Sequence, residues 1–283
     1  MKALRRIQGS IRKRGIHGVL MKIPNSLYQR ESNKKRDTLI KNQNWDLYFE
    51  STIVNLTQKL RHRNDWYEYF DNHFENILGE VLKSHRSYFS INGRGFGENA
   101  FHSMWYQIFR EYRPREILEI GVYRGQTISL FSILSRLFEL DSNIFGITPL
   151  SSGNDEVSRY LDNIDYAKDI ETHFKYFKLP PATILKAYST DTEAIDLIDS
   201  KIWDLIYIDG SHDFDIVKND YEVCKRNLAR NGLLVFDDSS LYFDFDKSFK
   251  GHPGPSRLVK EVVSNEMDFI IGVGHNNVFK LKN

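Results

Sequence analysis

The sequence predicts an α/β fold in which parallel strands alternate with helices and an antiparallel hairpin completes the sheet. From Arg115 onward, short apolar runs alternate with segments of helical periodicity. Before Arg115, aromatic and apolar residues recur at helical spacing, as in residues 42–90. At the end of the chain, "DFIIGVGHNNVFKLKN" holds two strand-like runs around a short turn. We therefore expect a seven-stranded sheet preceded by a helical extension.

The five parallel strands are expected at the five apolar runs 116–121, 143–148, 182–188, 204–209 and 232–238. Segments such as "TISLFSILSRLF" and "DIVKNDYEVCKRNL" lie between these runs and have helical periodicity. Parallel strands joined through helices require right-handed crossovers, so helices should cover both faces of the sheet.

The chain is expected to have three regions: a basic arm at 1–41, a helical extension at 42–99, and a cofactor-binding domain at 100–283. The arm holds 12 Lys and Arg residues against two acidic residues, whereas the whole chain has a net charge of only +1. Residues 1–23 have the pattern of a basic amphipathic segment, which is typical of peripheral membrane contact. The alternative is a solvated or subunit-contacting arm.

The remaining charge and the single cysteine limit the classes of function. The body of the chain is acidic overall, which argues against nucleic acid as a partner. Cys224 is the only cysteine, and no apolar run is long enough to span a bilayer. The sequence therefore predicts a cytoplasmic protein, which could also lie at the inner face of the membrane. We expect a homo-oligomer whose helical extension covers the acceptor site or mediates dimerisation.

The end of the first strand, "EIGVYRGQT", is the first candidate site, because ligands of open α/β sheets bind beyond the carboxyl ends of the strands. Gly121 and Gly125 allow a sharp turn and a close approach to a ligand. The dinucleotide pattern G-x-G-x-x-G is absent here, and so is the Lys-Ser/Thr pair of a phosphate-binding loop.

"LEIGVYRG" resembles motif I of class I S-adenosylmethionine-dependent methyltransferases, whose Rossmann-like sheet has the same order of elements as residues 115–283. The resemblance implies that Glu119, Gly121, Tyr123 and Gly125 bind the methionine part of S-adenosylmethionine. Family members carry an acidic residue at the end of the second strand for the ribose, whereas this chain has Thr148 there. This departure leaves Thr148 or Ser151 as the ribose contact.

Two further strand ends belong to the predicted cofactor site. "AYSTD" places Ser189 and Thr190 where the family holds the adenine. The alternative is that this segment only caps the following helix, and the two roles are compatible. Asp209, at the end of the fourth strand, is expected to contribute to the cofactor site as well.

Three carboxylates should converge where the fourth and fifth strands end, since neighbouring strands lie about 4.8 Å apart. They belong to Asp209, Asp237 and Asp238. Converging carboxylates repel each other unless a cation or protons compensate them, and oxygen ligands favour Mg²⁺, with Mn²⁺ or Ca²⁺ as alternatives. The alternative is that one of the pair and Asp215 cap helices. We expect Asp215 to cap the next helix.

This cluster resembles the site of metal-dependent O-methyltransferases, including those that act on catechol and on macrolide sugars. In that family a basic residue three positions beyond the first aspartate is the general base, and here this position is His212. Histidine titrates near neutral pH, so it can accept a hydroxyl proton. The alternative is an ordinary surface histidine. In the long segment that follows the fifth strand, His252 and Arg257 are possible acceptor contacts.

The resemblance implies an S-adenosylmethionine-dependent, Mg²⁺-dependent O-methyltransferase that acts on a vicinal diol, as in a sugar of antibiotic or surface polysaccharide biosynthesis. Its partner would be a small-molecule or glycan acceptor. Alternatives are an NAD-type or cephalosporin hydroxylase-like oxidoreductase on a related sheet, or a non-catalytic cofactor-binding module. An iron oxygenase needs more than one histidine beside a carboxylate, and we expect a single histidine, His212, at the strand ends.

Overall fold

The structure is a computed structural model and describes residues 51–151, 161 and 163–282. The chain divides into two units, residues 1–46 and 47–283, and every described residue lies in the second. The predicted basic arm and its membrane contact lie outside the described residues. Within the described ranges, no helix combines the length and the apolar character that crossing a bilayer requires.

Four helices form the helical extension and the start of the domain: α1 (Ile53–Lys59), α2 (Arg63–Asn76), α3 (Glu80–Phe89) and α4 (Asn99–Tyr112). Helix α1 begins where the Thr52 side chain accepts a hydrogen bond from the backbone N–H of Asn55, which satisfies one donor of the first turn. The helices predicted before residue 91 are therefore present, and "INGRGFGEN" is a loop between α3 and α4.

The described residues form one seven-stranded sheet in the order β3-β2-β1-β4-β5-β7-β6, with the first five strands parallel. The strands are β1 (Glu116–Ile120), β2 (Asn143–Thr148), β3 (Thr183–Lys186), β4 (Trp203–Ile208), β5 (Leu228–Phe236), β6 (Met267–Val273) and β7 (Asn276–Leu281). β6 and β7 are antiparallel to each other, and β7 pairs antiparallel to β5. The predicted fold class is confirmed.

Helices connect the parallel strands, as the alternating pattern predicts. They are α5 (Gln126–Leu137), α6 (Tyr166–Tyr176), α7 (Thr192–Asp199), α8 (Phe214–Arg226) and α9 (Pro253–Leu258). After α9 the chain continues through a π-helical turn (Val259–Val263) and the short helix α10 (Ser264–Glu266) into β6.

The core lies on both faces of the sheet. On one face, Trp203, Tyr221 and Phe236 are fully buried, and burial of a side chain of this size contributes about 2–3 kcal/mol. On the other face, Trp105 of α4 lies with its ring centre 5.0 Å from that of Tyr207 in β4. Helix α4 therefore packs directly against the sheet, beside the end at which the parallel strands terminate.

The central strands end in register. The backbone N–H of Asp209 donates to the carbonyl of Ile120 at 2.8 Å, and that of Asp237 donates to the carbonyl of Ile208 at 2.9 Å. These bonds extend the ladder one residue beyond β1, β4 and β5. The polar residues that follow the three strands consequently start from one common edge.

Candidate functional site

A cavity of about 590 Å³ opens at the carboxyl ends of the parallel strands. The loop before α4 and the residues around 249–252 contribute to its walls. Most of the predicted site residues line it: Glu119, Gly121, Tyr123, Ser151, Ser189, Thr190, Asp209, His212, Asp237 and Asp238. Of the predicted set, Gly125 and Thr148 do not line the cavity. Residues far apart in sequence are thus brought to one opening.

The turn after β1 requires glycine at two positions. Gly121 has φ +99°, and a Cβ there would overlap the backbone carbonyl of Asp209. Gly125 has φ +82° and is the residue immediately before α5, where its Cα faces Ile170. Because other residues strongly disfavour this left-handed backbone, the two glycines set the path of the predicted cofactor loop.

Glu119 lies at the base of the cavity and is 2% exposed. Its carboxylate accepts a hydrogen bond from the backbone N–H of Ile128 in α5. Burial, together with the charge of Asp237, raises the pKa of Glu119 well above its usual range. A desolvated carboxyl at this position can hold a cationic or proton-donating group of a ligand.

The end of β2 gives different surroundings to the two predicted ribose contacts. The hydroxyl of Thr148 is buried and donates to the carbonyl of Val122 at 2.9 Å, while accepting from the N–H of Leu150 at 3.3 Å. Ser151 is exposed and lines the cavity. Thr148 therefore fastens the end of β2 to the cofactor loop, and Ser151 is the residue of the two that faces the cavity.

Ser189 and Thr190 line the cavity after β3, and Asp191 occupies the N-cap position of α7 without a capping hydrogen bond from its side chain. The Asp191 carboxylate accepts from the N–H of Tyr188 at 2.8 Å and closes this turn. Behind the turn, Asp220 of α8 is 1% exposed and lies next to Ser189. Burial raises the pKa of Asp220 to about 6. The sequence analysis did not single out this residue, which occupies an ordinary amphipathic position.

The three predicted carboxylates do converge. Asp209 and Asp237 hydrogen-bond to each other, and burial and the charge of Asp237 raise the pKa of Asp209 well above its usual range. Although burial acts in the opposite direction, the His275 imidazolium keeps the pKa of Asp237 below its usual range. Tyr207 also donates to Asp237. Without a metal ion, a proton on Asp209 and the charge of His275 compensate this pair.

Three histidines, rather than the single one expected, surround the aspartates within the described part of the chain. Nε2 of His212 lies 2.9 Å from Oδ2 of Asp238, and Nε2 of His252 lies 3.6 Å from the same oxygen. The ring centres of His212 and His252 are 4.3 Å apart. The expectation of one histidine was wrong because His252 and His275 come from segments distant in sequence that the loop and the hairpin fold back onto the strand ends.

His275 approaches the cluster from the opposite side. Its Nε2 lies 3.2 Å from Oδ1 of Asp237 and 3.9 Å from Oδ1 of Asp238, and its Nδ1 lies 3.2 Å from the carbonyl of Phe249. Burial would lower the pKa of His275, but the two aspartates raise it to about 9. The signal that could have identified it is the "GHNN" turn, where a histidine follows a glycine in the hairpin.

The chain holds Asp238 in a strained conformation. Asp238 has φ +49°, and a Cβ at Gly251 would overlap its backbone. The carbonyl of Asp238 accepts from the N–H of His252 at 2.8 Å and from the hydroxyl of Ser256 at 3.1 Å. A non-glycine residue in this region costs on the order of 1 kcal/mol or more and is typical of functional sites.

Two other expectations concern residues near the cluster. Asp213, not Asp215, caps α8: its carboxylate accepts from the N–H groups of Asp215 and Ile216 at 2.9 and 3.2 Å. The expected cap was wrong because the helix begins earlier, at Phe214. Arg257 is exposed, stacks on the Phe214 ring at 3.9 Å and pairs with Glu261; it does not line the cavity.

The donor set at the strand ends fits a divalent cation. Asp209, Asp237 and Asp238 supply carboxylate oxygens, which Mg²⁺, Mn²⁺ and Ca²⁺ accept. Oδ1 of Asp237 is buried, and its close neighbours are a second carboxyl and an imidazole. A cation could replace the proton and the imidazolium charge that compensate these groups in its absence.

Comparison with known proteins agrees with this geometry. Residues 118–239 match the protein family described as "Methyltransferase domain". The chain is 24% identical over 149 residues to an uncharacterized protein of Acanthamoeba polyphaga mimivirus, and 26% identical over 138 residues to one of Sinorhizobium fredii. These matches cover 51% and 49% of this chain but 59% and 14% of the relatives. The chain therefore spans only part of the length of the curated relatives it matches.

Solved structures share the fold at low identity. A Podospora anserina methyltransferase bound to S-adenosylhomocysteine is 15% identical with a TM-score of 0.53, covering 79% of this chain and 98% of its own. An O-methyltransferase of Bacillus cereus, also in complex with S-adenosylhomocysteine, is 10% identical with a TM-score of 0.51, covering 78% and 100%. Residues 118–239 therefore match a methyltransferase domain, the chain shares the fold of these solved methyltransferases, and the predicted Rossmann-like methyltransferase fold is confirmed.

Proposed function

We propose that this protein transfers the methyl group of S-adenosylmethionine to a hydroxyl oxygen of a vicinal diol, with the help of a divalent cation. The acceptor we propose is a sugar of antibiotic or surface polysaccharide biosynthesis. One observation carries the proposal: most of the predicted cofactor residues and the aspartate–histidine cluster line the same cavity of about 590 Å³. Methyl donor and acceptor would thus meet inside one cavity.

The cofactor side of this cavity is the turn between β1 and α5. Glu119 is buried there, and Gly121 allows the backbone to approach a ligand closely. Tyr123 and Ser151 add polar groups at the same side, and S-adenosylmethionine supplies the methyl group when bound. The cavity is large enough for a ligand of this size, since small-molecule pockets commonly span about 300–1,000 Å³.

The acceptor side is the cluster at the ends of β4 and β5. Asp209, Asp237 and Asp238 are the residues that would hold the cation. A divalent cation held there would supply Lewis-acid chemistry, lowering the pKa of an acceptor hydroxyl. The three side chains are already held by the strand-end backbone bonds and, for Asp238, by a strained turn, so little ordering remains to be done on binding.

His212 is the proposed general base. Its Nε2 lies 2.9 Å from Oδ2 of Asp238, so the ring can donate its Nε2–H to that carboxylate and accept the hydroxyl proton at Nδ1. The Asp238 carboxylate then stabilises the imidazolium that forms. This arrangement orients the base through a carboxylate, the same relation that orients the histidine of hydrolase triads.

The position of Phe249 supports the proposal of an acceptor with a ring. Its ring is 53% exposed, lines the cavity and lies 5.2 Å from the ring of His252. An exposed aromatic face beside the reacting groups offers apolar contact to the face of a sugar or catechol ring.

The experiment that tests the proposal has two parts. Calorimetric titration with S-adenosylhomocysteine should show binding, and its absence would remove the methyltransferase proposal. Purified protein should then methylate members of a panel of nucleotide sugars, glycans and catechols, lose this activity in EDTA and regain it with Mg²⁺ or Mn²⁺. Full activity in EDTA would remove the cation from the mechanism.

A second candidate follows from one specific observation. His212, His252 and Asp238 place one ligand atom each within 4.8 Å of one another, and two histidines with one carboxylate are typical of non-haem iron oxygenases. This arrangement favours the cephalosporin hydroxylase-like alternative over the NAD-type one. Oxygen consumption by the Fe²⁺-loaded protein in the presence of an oxidisable acceptor would support the second candidate, whereas methyl transfer under nitrogen supports the first.

A further inference from the structure

We propose that His275 is a direct ligand of the cation at the strand ends, together with Asp237 and Asp238, and that this nitrogen gives the site a preference for Mn²⁺ over Mg²⁺. The inference rests on the proposed cation dependence. To the proposed cation site, the inference adds one ligand from the C-terminal hairpin and a preference among cations.

The backbone places His275 beside the cluster. Strand β7 pairs with β5 so that Asn277 lies opposite Phe236. At this end of the pair, His275 lies just before β7 and Asp237 and Asp238 lie just after β5. The N–H of Ser239 donates to the carbonyl of His275 at 2.9 Å. The Asn277 amide donates to the Ser239 hydroxyl at 2.6 Å, which fastens the hairpin to the segment after Asp238. The turn that carries His275, between β6 and β7, is therefore fastened to the segment that follows β5.

The ring of His275 has the orientation of a metal ligand. With Nδ1–H donated to the carbonyl of Phe249 at 3.2 Å, the lone pair for a cation would lie on Nε2. Metal-binding histidines commonly donate their second nitrogen to a carbonyl or carboxylate in this way, which fixes both tautomer and ring direction. Phe101 packs edge-on against the ring with centres 4.7 Å apart and limits its movement.

The distances among the ligand atoms fit one first-row cation. Nε2 of His275 lies 3.2 Å from Oδ1 of Asp237 and 3.9 Å from Oδ1 of Asp238, and the three atoms lie within 4.8 Å of one another. Ligands about 2.1 Å from a metal are separated by about 3.0 Å at octahedral and about 3.4 Å at tetrahedral angles. The 3.2 Å separation lies between these values and the 3.9 Å separation is about 0.5 Å longer than the tetrahedral one, so small side-chain movements suffice.

The cluster divides into two sides that share Asp238. His275 faces Oδ1 of this carboxylate, whereas His212 and His252 face Oδ2. His275 is the most buried of the three histidines, with 10% of its side chain exposed against 17% for His212 and 24% for His252, and it contacts the buried Oδ1 of Asp237. The division leaves His212 available as the base while the cation occupies the Oδ1 side.

The chemical type of the donor atoms decides which cation the site prefers. Carboxylate oxygens alone suit Mg²⁺, which binds imidazole nitrogen poorly, whereas first-row transition cations accept both. Two carboxylates and one imidazole therefore favour Mn²⁺ among the cations that also tolerate oxygen-rich sites. Asp209, the third carboxyl group of the proposed site, offers one more oxygen donor and does not change this preference.

The test uses Mn²⁺ and Mg²⁺ as probes of the whole chain in the presence of S-adenosylhomocysteine. Calorimetry should show that wild type binds Mn²⁺ at least about tenfold more tightly than Mg²⁺. Electron spin-echo spectroscopy of the Mn²⁺-loaded protein should show coupling to a histidine nitrogen. His275→Gln should lose the nitrogen signal and about tenfold in Mn²⁺ affinity, with Mg²⁺ affinity little changed. The matched variant His252→Gln should retain both the signal and the preference.

Several outcomes would overturn the proposal. If wild type binds Mn²⁺ without nitrogen coupling, or if His275→Gln keeps the coupling, His275 is not a ligand, although the cation dependence stands. If neither cation binds while S-adenosylhomocysteine does, both the ligand and the cation dependence fall. Should His275→Gln fail to bind S-adenosylhomocysteine, a His212→Gln/His252→Gln double variant decides: a retained nitrogen signal supports His275, and a lost signal overturns it.

Discussion

Two groups of histidines in this molecule are at least partly buried, yet burial keeps the first group neutral whereas His275 of the second group is charged. The first group lies between the helical extension and the neighbouring helices and consists of His73, His85, His102 and His173, all at most 2% exposed. The second lies at the strand ends and consists of His212, His252 and His275. The comparison separates the effect of burial from the effect of neighbouring charge.

In the helical group, burial keeps the imidazoles neutral. His85 Nδ1 lies 3.0 Å from His102 Nε2, and His85 Nε2 lies 2.9 Å from the Ser129 hydroxyl, so the chain of contacts is satisfied without a net charge. Desolvation lowers the pKa of His102 to about 3 and that of His73 to about 4. The pKa of His85 is also well below its usual value, for the same reason.

At the strand ends, His275 is 8% exposed, yet its pKa is raised to about 9. The difference is the carboxylate of Asp237, 3.2 Å from Nε2, whose charge outweighs desolvation. Burial therefore lowers the pKa of a histidine unless the charge of nearby anions outweighs it: at His173 desolvation prevails although Asp169 lies 3.1 Å from Nε2. The neutral group serves packing, and the strand-end group is available for chemistry.

The largest expected effect is a loss of folding stability at acidic pH, caused by the histidines of the helical group. Their pKa values in the folded chain lie below about 6.5, so the unfolded chain takes up protons first as the pH falls. Stability is therefore unaffected above pH 7 and is lost as the pH falls through 6.5 towards the folded values. At pH 5, each such histidine should cost about 2 kcal/mol of unfolding free energy. Urea unfolding at pH 7 and pH 5 measures this loss.

The matched variants for this prediction are His73→Gln and Ser103→Ala. His73→Gln removes one protonation site and should reduce the loss between the two pH values by about 2 kcal/mol. Ser103 lies 3.3 Å from Nδ1 of His73, so Ser103→Ala alters the same contact without removing a proton site and should keep the wild-type loss. Equal losses in wild type and His73→Gln would contradict the account.

The second effect concerns turnover and separates the two groups by function. His212→Gln should lower kcat by about 10²–10⁴-fold, the usual contribution of a general base, with little change in S-adenosylhomocysteine affinity. His73→Gln should keep wild-type turnover, because its ring packs among helices and not in the cavity. Methyl-transfer assays with the accepted substrate measure both. Persistent turnover in His212→Gln would assign the proton to another group.

The third effect tests the cause of the His275 charge. Asp237→Asn removes the nearer of the two aspartates that favour the imidazolium and leaves Asp238, whose Oδ1 lies 3.9 Å from Nε2. The midpoint of the His275 titration in the metal-free protein should therefore fall from about 9 towards the ordinary value of about 6.5. Nuclear magnetic resonance of the histidine ring protons measures the midpoint. A midpoint that stays near 9 would show that Asp237 is not the cause.

The smallest effect is expected where the helical extension meets the cofactor loop. The backbone N–H of Gly97 donates to Oε1 of Gln126 at 3.0 Å, and a Cβ at Gly95 would overlap the same side chain. Arg124 also donates to the carbonyls of Asn92 and Gly93, so this loop rests directly on motif I.

Gly95→Ala should displace this loop from Gln126 and weaken S-adenosylhomocysteine binding by about tenfold or less, as for a modest repacking strain. Gly79→Ala is the control, because a Cβ at Gly79 meets no atom within 4 Å. Calorimetry of both variants gives the comparison. Unchanged affinity in Gly95→Ala would show that the loop does not constrain the cofactor site.

The sequence predicted the fold well because each of its signals is local. The apolar runs at 116–121, 204–209 and 232–238 correspond closely to β1, β4 and β5, since a buried parallel strand needs a continuous apolar segment. The rule that ligands bind at strand ends then placed Asp209 and Asp237 together. Residue type and strand position were enough to predict that these two aspartates lie close together.

The residues whose roles were not predicted correctly from the sequence have a different origin. His275 and His252 reach the cluster through the pairing of β7 with β5 and through the bridge between Ser239 and Gly251, and these are contacts between segments far apart in the chain. The helix cap was misplaced from Asp213 to Asp215 because helix ends depend on a few backbone angles. Asp220 was overlooked because its burial, not its sequence context, makes it unusual.

By itself, the sequence determined the order of strands and helices, the glycine turn of motif I and the three aspartates at the strand ends, because periodicity and residue type specify these. Only the tertiary structure decided which histidines meet those aspartates and which imidazoles are charged. Charge depends on desolvation and on anions within a few ångströms, and both are set by contacts between segments far apart in the chain.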